Sequence, residues 1–358
     1  MPQYWVLGYK NNPLVKSYED KYFQKLLQIS QSWLWENHEL YQLENEQQKK
    51  FFLHPDISSL IMDLHYKNNK DSYEKLLMES NYFLEWNYVQ LTSQKWDKIK
   101  GTNILLSLDD NNPENGIVWH PDHDKEGMLG WWDKSPEEWN QVFSKSLMLL
   151  KKVNPDFYEE LNYLIKKIVP MKTSIDVHNS CSYKECVGTL YLWYTTNTQF
   201  PELHILEALI HESSHNKLNL IMQSERLTLN DFILQYYSPY RPDARHIHWV
   251  YLWVHALVPT VFVLFQAIEL WLITDTQWIQ KSLLYHVKNK IGYRVLQKYA
   301  RTTKIGWEIL ENIAQVIRLS EKKILNCTIL NNLNTTDIIS RAKQHLLRVK
   351  TENPHLRY

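Results

Sequence analysis

Residues 248–274, "HWVYLWVHALVPTVFVLFQAIELWLIT", set the strongest limit on what this chain can fold into. The segment is nearly as apolar as a membrane span and about as long, so it must leave water as a unit. His255, Pro259, Gln266 and Glu269 interrupt it, and each is costly in lipid. No other stretch of the sequence resembles it. It therefore reads as a helix buried at the centre of the protein, with a membrane span as the lesser alternative. An apolar helix carrying a few ionisable groups is where a buried site would be built.

The rest of the composition fits a globular protein with such a core. Hydrophobic residues make up 44% and charged residues 22%, an ordinary balance for a folded domain. Lysine plus arginine and aspartate plus glutamate stand at 40 each, so no net field favours nucleic acid or an anionic membrane. With 15 tryptophans and 22 tyrosines against 8 glycines, aromatic packing between helices is expected, and no glycine-rich phosphate loop is found. The three cysteines, Cys181, Cys186 and Cys327, suit a reduced compartment. The first residues, "MPQYWVLGYKNNPLVK", lack a basic start followed by an apolar run, so a cytoplasmic location is expected.

Periodicity predicts a mainly α protein with a small β-hairpin or sheet before its central motif. Helices are expected within "YEDKYFQKLLQISQSWLWENHELYQL", "DISSLIMDLHYKNN" and "SYEKLLMESNYFLEWNYVQL". A polar loop over 107–136 precedes a helix opened by "SPEE", a cap, a proline and early acids. "MKTSIDV" and "VGTLYLWYT" read as strands, and the chain is helical thereafter apart from the loop at 236–245. A soft boundary near Pro170 divides a helical half, 1–168, from a motif-bearing half, 169–358. The aromatic-rich first half offers one wall of a peptide-binding cleft or a scaffold for the second.

The motif is "EALIHESSHNKLN", residues 207–219. On a helix His211 and His215 stand one turn apart on one face, so both imidazoles can reach one ion. Glu207 and Asn219 continue a polar seam along that face and are candidates for orienting the imidazoles. A catalytic metal needs a third ligand. The metzincin continuation is absent from "NKLNLIMQS". His255 in "LWVHALVP" is the preferred third ligand, with Glu269 and His248 as alternatives. The HxD pair in "WHPDHD" lies in a loop without the strands that motif requires, and His178 with Cys181 and Cys186 lacks the spacing of a zinc site.

The motif helix is followed by "YYSPYRPDARHIHWVYLWVHALVP". Together they resemble the HExxH-motif peptide-modification family of 2-oxoglutarate- and Fe(II)-dependent peptide β-hydroxylases. The resemblance rests on His211, Glu212, His215, Lys217, Leu218, Ser238, Pro239, Tyr240, Arg241, Asp243, Arg245, His255 and Pro259. It extends over residues 174–269 and includes a serine-rich turn leading into a strand; it departs from the family at "HIHW" after Arg245. The resemblance implies Fe(II) on His211, His215 and His255, with 2-oxoglutarate and O₂ at the open positions. Arg245 first and Arg241 second would hold the distal carboxylate of the keto-acid, with Asn219 placed among the cofactor-binding residues. The partner implied is a peptide substrate, with neither nucleic acid nor membrane. Two other readings stand beside it. One is a zinc peptidase with Glu212 as general base and Glu269 as third ligand. The other is a binding protein that keeps the motif without the chemistry.

Overall fold

In the computed structural model the described residues are 8, 12–34, 38–68, 70–87, 89, 97–106, 135–171, 180–193, 199–331 and 336–358. They form two compact units. One gathers 11–148 and 160–224; the other gathers 1–10, 149–159 and 225–358. Helix dominates both, as the periodicity predicts.

The first unit begins with α1 (Pro13–Gln31), α2 (Asn45–Phe52), α3 (Pro55–Lys67) and α4 (Lys70–Trp86). Proline opens two of these helices, with the Asn12 side chain capping α1 and His54 capping α3. Helix α1 is shorter than the sequence pattern suggests: it ends at Gln31, and residues 39–42 make a separate 3₁₀ turn. The "SPEE" start of α5 (Pro136–Val153) is a reciprocal capping box: the Glu138 amide donates to Ser135 Oγ, and the Ser135 amide to Glu138 Oε2. Helix α6 (Pro155–Leu164) follows. Helix α7 (Pro201–Met222) packs on α1 and on the sheet.

That sheet holds β1 (Asp97–Lys98), β2 (Leu105–Leu106), β3 (Lys167–Met171) and β4 (Thr189–Trp193), in that order. The first pair is antiparallel; β2–β3 and β3–β4 are parallel. The hairpin alternative is therefore replaced by a sheet. Of the first expected strand, "MKTSIDV", only Met171 is among the described residues, and it closes β3, which begins at Lys167. Both partners are buried almost throughout, as continuously apolar parallel strands must be. Residues 107–134, including "WHPDHD", and 172–179, including His178, lie outside the described residues.

The second unit is built on α8 (Ile247–Glu269), with α9 (Thr276–Tyr299) and α10 (Lys304–Asn326) packed against it. A short α11 (Thr328–Asn331) adjoins α10, and α12 (Thr336–Glu352) lies on α9. Among the described residues α8 alone is long and apolar enough to cross a membrane, and 83% of its most apolar window is buried within the protein. Pro259 has no N–H to give the His255 carbonyl four residues back, a local cost that packing must offset. Helix α9 admits α8 closely at Gly292, where a Cβ would stand 2.6 Å from Val254 Cγ2.

Candidate metal centre

Helix α7 brings the two motif histidines together. Their Nε2 atoms are 3.0 Å apart and their rings meet edge-on. Two ligands about 2.1 Å from one ion, at angles between octahedral and tetrahedral, stand roughly 3.0–3.4 Å apart. The pair thus fits a single ion. Burial holds the His215 imidazole down to about 4, which keeps it in the neutral form that binds metal.

Glu212, beside His211 in sequence, has a different engagement. Its carboxylate accepts hydrogen bonds from Ser180 Oγ at 2.7 Å and from Ser182 Oγ at 2.9 Å. Backbone pairing explains why both serines arrive there. Cys181 exchanges two hydrogen bonds with Tyr191 of β4, so residues 180–182 run as a strand-like edge. Alternation along an extended segment puts Ser180 and Ser182 on one face and Cys181 on the other, where it packs with Met171 and Tyr191. Burial pushes the Glu212 carboxyl up to about 7, against the opposing pull of the two hydroxyls. The serines were not singled out one by one from sequence; the serine-rich turn was their only signal.

The rest of α7 is tied in the same way. The Asn216 carboxamide accepts from the Gly188 amide and donates to the Thr189 carbonyl, closing the start of β4 against the helix. Lys217 is buried and ion-paired with Glu160, which also accepts from Asn12. Lys217 is thereby structural. Glu207 and Asn219 are buried on the same helix.

The other candidates sit in the second unit. His255 is fully buried in the middle of α8. Glu269 ends that helix, 37% exposed, with its carboxylate 2.5 Å from Lys323 Nζ. His248 is partly buried, near the exposed ring of Phe232. Of the three, only His255 has the seclusion of a buried ligand. Among the described residues no cluster of three or more His, Cys, Asp and Glu side chains is gathered for a metal. The pair on α7 is the part of the centre that the structure provides.

The arginines follow a loop that is firmly held. Tyr240 stacks on Trp253 and donates to Asn289, whose side chain in turn donates to the Leu257 carbonyl. Arg245 exchanges backbone hydrogen bonds with Tyr236, and its guanidinium lies over Trp249 at 4.8 Å. Asp243 occupies the guanidinium fork, 2.9 Å from Nε and 3.1 Å from Nη2. Arg241 reaches the same carboxylate only at 4.0 Å. A keto-acid carboxylate at Arg245 would therefore take over a contact that the half-exposed Asp243 now makes.

The fold and site define a mainly α protein with a small, mostly parallel sheet and a helical two-histidine motif. Compared with known proteins, the chain matches no family model and no curated sequence.

Proposed function

We propose that this protein is an Fe(II)- and 2-oxoglutarate-dependent oxygenase that hydroxylates a side-chain β-carbon of a peptide. The observation that carries the reading is the engagement of Glu212. Both of its oxygens anchor the Ser180–Ser182 edge to the metal-binding helix, a positioning task. A peptidase needs that carboxylate aimed at a metal-bound water. The family resemblance supplies the rest: His211 and His215 would hold the metal with His255, and Arg245 the keto-acid. When bound, iron and keto-acid supply oxidative decarboxylation to succinate and CO₂, with one oxygen atom of O₂ going to the peptide carbon. The chain's part is to keep two imidazoles on one face, that of His215 held neutral by burial, and to fix the turn beside them.

One observation favours the zinc peptidase. A buried carboxyl near 7 suits proton transfer at neutral pH. The ion pair of Glu269 with Lys323 weighs against it, because that reading needs Glu269 as a ligand. The two are separated by loading the protein anaerobically with ferrous iron, adding 2-oxoglutarate and air, and measuring succinate. Succinate should form, disappear in His211→Ala, and persist at a measurable rate in Glu212→Gln. Peptide hydrolysis by the zinc-loaded protein, lost in Glu212→Gln and with no succinate from the ferrous form, would replace this reading with the peptidase.

A further inference from the structure

Among the described residues, exposed large apolar side chains stand singly along the chain apart from the pair Leu270–Trp271 and one denser stretch. Scattered exposure is ordinary for a folded surface, and the stretch is not. Between 229 and 234, Leu229, Phe232, Ile233 and Leu234 are each at least 50% exposed. Phe232, at 73%, exceeds every other large apolar residue described. Main-chain hydrogen bonds pin both ends of this loop of the second unit. The Leu229 amide donates to the Arg301 carbonyl at 2.7 Å, and the Arg357 amide to the Gln235 carbonyl at 2.6 Å. The Asn230 side chain accepts from the Arg301 amide and donates to the Tyr299 carbonyl. The Phe232 ring lies 5.5 Å from that of His246, which lies 5.5 Å from the exposed ring of Trp249 on α8. Loop and helix start thus present one continuous apolar surface on a fixed backbone.

Area, main-chain chemistry and charge together select its occupant. At roughly 200 Å² for a whole residue of this size, the five expose on the order of 500 Å². A stable dimer needs about 800 Å² from each partner, so a second copy would be held too weakly here. Among the described residues the Phe232 and Leu234 amides have no main-chain acceptor. Hydrocarbon would leave such groups unsatisfied, whereas a peptide brings carbonyls to them. The pinning bonds also set exposed Arg301 and Arg357 at the two ends of the loop. Arg245, over Trp249, is answered by Asp243, and Asp231 is the one acid of the loop itself. The middle of the surface therefore favours apolar side chains and its ends favour carboxylates.

We infer that the loop 229–234, with Trp249, is a docking surface for a short apolar peptide segment with acidic ends. As a recognition surface for a peptide substrate it rests on the preceding proposal. The test uses the full chain without iron or keto-acid, so its failure is distinguishable from that of the succinate measurement. The probe is a fluorescein-labelled peptide with a Leu-Val-Phe-Val core between aspartates, titrated at low ionic strength and followed by anisotropy. Binding should weaken roughly tenfold in F232S/L234S, two exposed changes that leave the core intact. It should weaken about threefold in R301S/R357S, a loss that half-molar salt removes, and be unchanged in Leu325→Ser. The inference fails if the probe does not bind, or if F232S/L234S or R301S/R357S binds it as tightly as the parent. It fails equally if Leu325→Ser loses as much, or if phosphatidylcholine or phosphatidylserine vesicles bind the parent more tightly than the probe. A parent dimer in sedimentation equilibrium that F232S/L234S disperses would assign the surface to a second copy instead.

Discussion

Helices α7 and α8 have nearly the same length, 22 and 23 residues, and both are mostly buried, but they accomplish burial in opposite ways. Helix α7 takes two carboxyl groups, an ammonium, two carboxamides and the His211 imidazole out of water. Three of these are met by named partners: Glu212 by two serines, Lys217 by Glu160, and Asn216 by the backbone of β4. Helix α8 is apolar on every side, and most of its polar fastenings come from neighbours. Asn289 donates to its Leu257 carbonyl, and its own Tyr251 hydroxyl donates to Gly306. Apolar burial supplies free energy without direction, whereas each polar pair on α7 holds only in one register. The comparison assigns chemistry and address to α7, and bulk cohesion to α8.

The comparison breaks most visibly at Lys217. Lys217→Ala leaves the Glu160 carboxylate buried with only Asn12, and should cost about 3–5 kcal/mol in urea denaturation. Replacing both partners, in K217M/E160L, should recover most of that loss, since a buried ion pair can be exchanged for apolar volume. A loss below about 1 kcal/mol for Lys217→Ala would mean the pair does not anchor α7.

The apolar side of the comparison has its own polar exception. His286 on α9 is 5% exposed and lies against Phe265 of α8. Burial, and then Lys290, holds its imidazole down to about 4, with Glu321 pulling the other way. The folded state therefore binds the neutral ring, while an unfolded histidine takes its proton near 6.5. Stability is complete above about 6.5 and is lost as pH falls toward 4, by up to about 3 kcal/mol. His286→Phe should make the decline over that window shallower by its own share, with His215 still contributing its part. A parallel decline in the variant would place the acid sensitivity elsewhere.

How far this architecture could be read from sequence follows the same division. Burial of α8, a helix at α3, and the capped, proline-led start of α5 at Ser135 were legible because each depends on residues within one or two turns. The parallel pairing of β3 and β4 was not, since alternation marks a strand without naming its neighbour. The partners of α7 were hidden by distance along the chain: Glu160 lies 57 residues before Lys217, and Ser182 lies 30 before Glu212. Of the site, the histidine pair was visible because both members share one helix. The occupation of Arg245 by Asp243 was in plain view two residues away, but which carboxylate an arginine takes depends on how the loop turns.

Gly292 tests the cohesion of α8 by volume. A methyl group there would meet Val254 Cγ2 at 2.6 Å, with Pro239 and Tyr240 close behind it. Gly292→Ala should destabilise by about 1–3 kcal/mol through overpacking. Val254→Ala in the same chain makes room, so V254A/G292A should melt nearer the parent than Gly292→Ala does. If the single change is neutral, the α8–α9 contact has slack that the close approach does not suggest.

The smallest effect is expected where α8 leaves the core, at Glu269. Its partner Lys323 is a surface residue, and exposed pairs contribute little because water and salt compete for both charges. Glu269→Gln should change stability by less than about 1 kcal/mol. Its larger value lies in metal content. If the centre uses α7 with a histidine from the buried part of α8, Glu269→Gln should retain as much ferrous iron or zinc as the parent, while His255→Ala loses it. If Glu269→Gln instead loses zinc and His255→Ala keeps it, the carboxylate must leave Lys323 to bind. The polar work assigned to α7 would then extend to the exposed end of α8.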